Sequence, residues 1–174
     1  QIIERVLAAR ADNDSVGGIV ECRVRGVPPG LGDPVFDKLE ADLAKAILSI
    51  GATRGIEFGA GFAAADMRGS EHNDQMAGGR FLTNHAGGII GGISTGEEIV
   101  FRTVFKPTAS IAKPQRTTNL DGEDVICETH GRHDPCIFPR AIPVVEAMTA
   151  IVLEDHFKRQ AARSEERRVG KECR

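Results

Sequence analysis

The sequence predicts an α+β fold, a layered arrangement of sheet and helices, and three observations predict it. "GIVECRVRG" and "IVFRTVF" alternate apolar and polar residues with the period of two that marks a half-buried strand. "VFDKLEADLAKAILSI" repeats its apolar residues at helical spacing instead. These strand and helix signals follow one another in no strict βαβ rhythm, which favours layers over a doubly wound sheet.

In chain order, Ile2, Ile3, Val6 and Leu7 set a helical stripe that ends in the turn "ADNDSVGG". In the first strand Val20, Cys22 and Val24 share one side and Glu21, Arg23 and Arg25 the other, so one face is wet. "VPPGLGDP" reads as a loop. Asp33 and Pro34 then supply a cap and a first-turn proline, so a helix is expected to open there and bury Phe36, Leu39, Leu43, Ile47 and Ile50. Ile99, Phe101, Thr103 and Phe105 define a second strand that stops at Lys106-Pro107, and "DVICE" a short third. Pro143 is expected to start a last helix whose buried side is Val144, Met148, Ile151 and Val152. No repeat or linker divides the chain, so its 174 residues are expected to form one domain or a large piece of one.

The last twelve residues, "RSEERRVGKECR", lack apolar periodicity and read as a vector or assembly scar, which sets 163–174 apart from the fold. Setting aside their five basic and three acidic residues leaves 17 basic against 22 acidic, a net charge of −5 in place of −3. That balance argues against a nucleic-acid or anionic-membrane partner. The absence of Trp and Tyr removes the stacking surface that single-strand binders use. No apolar run is long enough to cross a bilayer and no leader opens the chain; it starts at Gln1, which leaves room for residues upstream. Cys22, Cys127 and Cys136 are too dispersed for a disulfide framework, so a reducing, cytoplasmic compartment is expected.

Glycine concentrates in "NHAGGIIGGISTG", Asn84 to Gly96. Each such glycine costs about 1 kcal/mol against alanine in a helix, so the segment serves close packing or a ligand. It lacks the spacing of a dinucleotide fingerprint and the Lys-Ser/Thr of a Walker loop, and on glycines alone close packing is the expectation. "FKPTASIAKPQRT" adds Lys106, Thr108, Ser110, Lys113 and Arg116 directly after a strand, cations and hydroxyls suited to a phosphate. Pro107 and Pro114 keep it from becoming a helix.

"THGRHDPCIFPRAIPVVEAM" sets Arg132, His133 and Asp134 side by side. Arg132 can fork onto a phosphate or carboxylate, and beside it Asp134 would stand as a carboxylate able to accept a proton. Cys127, His130, His133 and Cys136 also recur at every third position with ligand types that suit zinc. Gly131 and Pro135 break any helix that would align the four, so no metal site is expected. A non-catalytic oligomerisation module explains the glycines but not Arg132 and Asp134 beside a Lys106 loop.

"RGVPPGLGDPVFDKLEADLAKAILSI", "NHAGGIIGGISTG", "KPTAS" and "GRHDPCIFPRAIPVVEAM", in that order, resemble the C-terminal half of the chorismate synthase family. The resemblance runs from Ser15 to about Arg159 and makes 1–162 the C-terminal part of one β-α-β sandwich-like domain. It implies elimination of phosphate from 5-enolpyruvylshikimate 3-phosphate to give chorismate, with reduced FMN, in the shikimate pathway. It also brings an association with NADP and a homotetramer. By this resemblance, flavin contacts fall on Lys106, Pro107, Thr108, Ala109, Ser110, Gly91 and Arg132, and on Gly51 and Ala52 in "SIGATRG". Family members often carry another residue at the position of Gly51. Asp134 takes the place of the catalytic aspartate. The family's two catalytic histidines, its arginine-rich substrate segment and a further flavin segment belong to its other half, and His72, His85 and His133 do not replace those histidines. Taken alone, the chain is expected to be inactive.

Overall fold

The computed structural model describes residues 1–172, with side chains described through residue 163. In order, the elements are α1 (Ile2–Ala11), β1 (Gly18–Val24), α2 (Leu39–Leu48), β2 (Thr53–Phe58), a 3-10 turn (Gly61–Asp66), α3 (Gly69–His72), β3 (Met76–Ala77), β4 (Arg80–Phe81), β5 (Ile89–Ile90), β6 (Ile93–Ser94), β7 (Ile99–Phe105), β8 (Gln115–Thr118), β9 (Asp124–Cys127) and α4 (Phe138–Glu172). Of the tail set apart above, only Arg163 has a described side chain; the rest of that reading lies outside the described side chains.

The frame is a three-stranded antiparallel sheet in the order β1-β7-β2, covered on one face by α2 and α4. β7 is central, so both of its edges are paired: Cys22 and Phe58 stand opposite Phe101 from the two sides. Its period-two pattern buries Ile99, Phe101, Thr103 and Phe105 against the helices. The Thr103 hydroxyl is satisfied inside the core by donating to the Gly55 carbonyl at 3.0 Å. From above, α2 contributes Leu39, Leu43 and Ile47, each fully buried, worth about 1.5–3 kcal/mol apiece. The opposite sheet face carries the wet residues, with Arg23 and Arg25 on Glu98 and Arg102 on Glu57. The fold is α+β, and the described residues form one sheet layer and one helical layer of it.

Two helix starts differ from the sequence reading. Asp33-Pro34 does not open α2. The backbones of Asp33 and Asp37 bond to each other across a tight turn, and Phe36 at its corner is 91% exposed. Lys38 takes the cap position without a side-chain bond; the Leu39 amide instead donates to the Gly92 carbonyl at 2.9 Å. A backbone partner from a distant segment thus sets the helix start, not the local cap.

α4 begins at Phe138, with Pro143 inside it. Packing against the sheet and α2 buries Ala141, Val145, Thr149 and His156, with Met148 and Val152 beside them, and leaves Val144 outside and Ile151 63% exposed. The polar members of this stripe are satisfied. Thr149 donates to the Val145 carbonyl, and His156 Nε2 lies 3.0 Å from Asp42 of α2.

Two hairpins that the sequence reading did not resolve turn on Gly-Gly pairs. Gly78 and Gly79 join β3 to β4, and Gly91 and Gly92 join β5 to β6, all four with positive φ. Two central residues of that conformation match the twist of paired strands. β2 and β8 were likewise unread; β8 lies in the stretch taken for a polar loop and pairs with β9 in a hairpin exposed along both strands.

Candidate active site

β7 delivers the polar loop. Just past the buried Phe105, the Lys106 amide donates to the Ala52 carbonyl at 2.9 Å. Ala52 has φ +68°, a left-handed conformation that costs a side-chain-bearing residue about 1–2 kcal/mol. That turn brings Gly51 and Ala52, at the end of α2, against the beginning of the Lys106 loop.

The loop is held from a second side by the turn ahead of β1. Ser15 donates its hydroxyl to the Thr108 carbonyl at 2.7 Å, and the Val16 amide donates to the Pro135 carbonyl at 2.9 Å. Gly17 is required here, because a Cβ would stand 2.4 Å from the Phe105 carbonyl oxygen and 3.1 Å from the Pro107 ring. The 15–17 turn therefore joins the Lys106 loop to the segment that holds Asp134. A direct bond joins them too: the Ser110 hydroxyl lies 3.1 Å from His133 Nδ1, while His133 Nε2 lies 3.0 Å from the Thr129 carbonyl.

Two electrostatic expectations need correction. Lys113 is not available for a phosphate, because its ammonium binds Asp12 and Asp14. The bonds to Asp12 and then Asp14 raise the Lys113 pKa, while Lys113 and the Ser15 amide hold the Asp14 carboxyl below its ordinary range. The arginine on Asp134 is Arg140, from the first turns of α4, whose Nη2 donates at 2.8 Å; it is not the sequence neighbour Arg132. Adjacent residues of a loop project apart, whereas the helix start lies across from Asp134.

Lys106 and Arg132 form no ion pair among the described residues. The Thr108 hydroxyl and that of Thr53, next to Ala52, are buried without a partner. Cations without an ion pair, Lys106 two residues before Thr108 and Arg132 next to the His133 that bonds Ser110, together with unsatisfied hydroxyls, fit a ligand that carries an anionic group and hydrogen-bonding atoms. A phosphorylated cofactor is one ligand of that kind, and Gly51, Ala52, the Lys106–Ser110 loop and Arg132 are the residues that could hold it.

Gly91 stands apart. Its hairpin meets the N-terminal end of α2 through Lys38 and Leu39, and the Ile99 end of β7 through Gly88. A ten-residue helix separates it from Ala52, roughly 15 Å of rise. Nothing lies within 4 Å of a Cβ built on Gly91, so its turn is open. Around it the glycines do pack closely, as the composition suggested: Gly88 abuts the Glu98 carbonyl and Gly59 the His85 carbonyl. Asn84 bonds Gly88 and Glu98, and Ser94 bonds Leu31 and Pro28. Burial pushes the nearby Asp74 carboxyl up, but bonds from the Ala86 amide, the Thr83 hydroxyl and the His85 amide outweigh it and hold it low.

Among the described residues no three His, Cys, Asp or Glu side chains converge as metal ligands. Cys127 is exposed at the end of β9, His130 faces Glu128, and both nitrogens of His133 are engaged. The sequence reading places a turn over Ser15, Val16 and Gly17 but gives it no part in the site. Its signal was "DNDSVGG", a turn with two glycines directly before the strand that pairs with β7.

Comparison with known proteins bears on this arrangement. The family model described as chorismate synthase matches residues 1–157. Chorismate synthase of Opitutus terrae is 61% identical over 165 residues, covering 92% of this chain and 46% of that protein. That of Methylacidiphilum infernorum is 58% identical over 166 residues, covering 93% and 45%. A crystal structure of chorismate synthase superposes with a TM-score of 0.74 at 30% identity, covering 91% of this chain and 42% of that one. The chain spans about half the length of the curated relatives it matches.

Proposed function

The chain belongs to the chorismate synthase family, and on that premise we propose that it supplies the flavin-side half of a chorismate synthase active site. The reaction is the elimination of phosphate from 5-enolpyruvylshikimate 3-phosphate, a carbon–oxygen lyase step of the shikimate pathway. Phosphate leaves with the electron pair of its C–O bond, a ring proton is removed, and the electrons of the broken C–H bond complete the conjugated system. Reduced FMN, when bound, would supply an electron-rich ring to the reaction.

The observation that carries this reading is the Ser110–His133 bond, which joins the Lys106–Ser110 loop to Arg132 and Asp134. Lys106 and Arg132 offer charge to phosphate groups, and the amides from Thr108 to Ser110 and the hydroxyls of Thr108 and Ser110, with Pro107, Gly51 and Ala52, line the cofactor. Asp134, oriented by Arg140, accepts a proton near the flavin. Gly91 takes part as a flavin contact from a separate place in the fold. The acid–base groups and substrate arginines that this chain lacks come from the part of the relatives' length it does not span. The whole enzyme works in the cytoplasm as a homo-oligomer, a tetramer by family likeness, and NADP enters through reduction of the flavin. No helix of the described residues is long and apolar enough to cross a membrane.

The test is an anaerobic assay with reduced FMN and 5-enolpyruvylshikimate 3-phosphate, followed by phosphate release. The 174-residue chain alone is expected to release none, since catalytic groups that act as a unit leave little when several are missing. Joined to the remaining half of the Opitutus terrae relative, it is expected to turn over, and Asp134→Asn to slow that hybrid by about 100-fold. Phosphate release by the chain alone, or an unimpaired Asp134→Asn hybrid, would contradict the assignment.

A further inference from the structure

We propose that His133 fixes the hydrogen-bond polarity of Ser110, so that this hydroxyl meets a bound flavin as an acceptor and not as a donor to phosphate. The inference rests on the placement of the Lys106–Ser110 loop against the cofactor and specifies what one of its groups recognises.

The deduction starts at the Thr129 carbonyl, 3.0 Å from His133 Nε2. A carbonyl oxygen only accepts, so Nε2 carries the hydrogen. In a neutral imidazole that leaves Nδ1 as a lone pair. Nδ1 lies 3.1 Å from the Ser110 oxygen, so the bond between them uses the serine's single hydrogen. What Ser110 retains for a ligand is its lone pairs. A phosphate oxygen, an acceptor itself, gains nothing there. An imide N–H or a sugar-alcohol hydroxyl does, and a flavin carries both. The charge for phosphate then falls to Lys106 and Arg132. His133 thus acts as a positioning residue: it works through Ser110 rather than on the reacting atoms.

Two measurements test this. In the 174-residue chain at alkaline pH, long-range proton–nitrogen NMR correlations of the His133 ring are expected to show the Nε2–H tautomer, and Ser110→Ala to shift Nδ1 alone. An Nδ1–H tautomer would overturn the proposal with no flavin present. The second measurement is titration of FMN and riboflavin into the hybrid with the Opitutus terrae half. An acceptor role predicts that Ser110→Ala weakens both flavins by the same factor, about three- to ten-fold for one neutral hydrogen bond. His133→Phe should cause the same loss, and the double variant no more than either alone. His133→Asn, whose amide oxygen can stand where Nδ1 stood, should recover most of it. A loss confined to FMN would make Ser110 a phosphate donor and refute the idea. So would unchanged affinity in His133→Phe alongside weakened FMN binding in Lys106→Ala. If Lys106→Ala and Arg132→Ala leave FMN affinity intact, or the hybrid binds neither flavin, the cofactor placement itself fails and the ligand claim falls with it.

Discussion

The two ends of β7 each receive a polar segment, one built into the frame and the other held beside it by a few bonds. At the Ile99 end, the glycine-rich stretch places its backbone against Glu98 and Ile99, and Asn84 and Ser94 spend their side chains on backbone groups. At the Phe105 end, the loop from Lys106 to Ser110 has two free cations nearby and a buried hydroxyl without a partner. By composition the glycine stretch suits close packing and the Lys106 stretch a phosphate, and the structure gives a physical measure of that difference. What separates them is satisfaction: the polar side chains of the glycine segment are consumed internally and serve the fold, its open turn at Gly91 excepted, whereas the Lys106 loop has groups left over for a ligand.

The strongest challenge to this division is aimed at the frame both segments share. Phe101→Ala, at the centre of β7, is expected to cost about 3–5 kcal/mol, read from urea unfolding followed by circular dichroism. A loss under about 1 kcal/mol would show that β7 is not the common support. Next comes a comparison within the glycine segment. Gly88→Ala combines φ +80° with a Cβ 2.5 Å from the Glu98 carbonyl and should cost more than about 2 kcal/mol. Gly91→Ala meets no neighbour and should cost about 1 kcal/mol, from conformation alone. Equal losses would erase the distinction between packed and open glycines. At the other end, Ser15→Ala removes one bond to the loop and should cost about 1 kcal/mol, with faster hydrogen exchange in the Lys106 loop and none at Gly88.

The smallest expected effect is acid sensitivity of the clamp on Lys113. The Asp14 carboxyl is held below its ordinary value of 3.8 by Lys113 and by the Ser15 amide. A depressed folded value means that the stabilisation is complete above the unfolded value and is lost as pH falls through the folded one. Loosening of the loop is therefore expected below about pH 3.8, measured by amide exchange or NMR shifts of residues 106–114. Lys113→Met should shrink that acid step, leaving only the part due to the Ser15 amide, while the neutral-pH spectrum of Gly88 stays unchanged.

The sequence made the frame legible where periodicity is strong. Leu39, Leu43 and Ile47 on α2, and Ile99 to Phe105 on β7, declare their buried sides by spacing alone. Phe36, Val144 and Ile151 share the apolar spacing of their neighbours yet stay exposed, because the described layers leave those positions open. "IIGGIS" carried a hairpin signal in its Gly-Gly pair, but glycine density drew attention to packing first. The residues assigned to the site were legible through their resemblance to a family, whereas the joints that hold them were not. Lys113 on Asp12 and Asp14, and Ser15 on Thr108, are pairings in space between segments that nothing local connects, while Arg140 reaches Asp134 across six residues because α4 starts at Phe138.

The Ser15–Thr108 bond spans 93 residues of chain, a separation that would make its closure slow and entropically costly if it formed by itself. The ladder of β1 and β7 changes that. Gly18 pairs with Phe105, so once those strands have zipped together only about three residues remain on each side to be closed. Shortening the effective loop in this way lowers the closure cost by about 2 kcal/mol. Strand register and site geometry become one degree of freedom. A slip of a single residue between β1 and β7 displaces Ser15 along the strand by about 3.4 Å, enough to break its bond to the loop. In folding, the candidate site is therefore the end of a zipper, complete only when the last rung at Gly18 and Phe105 has closed.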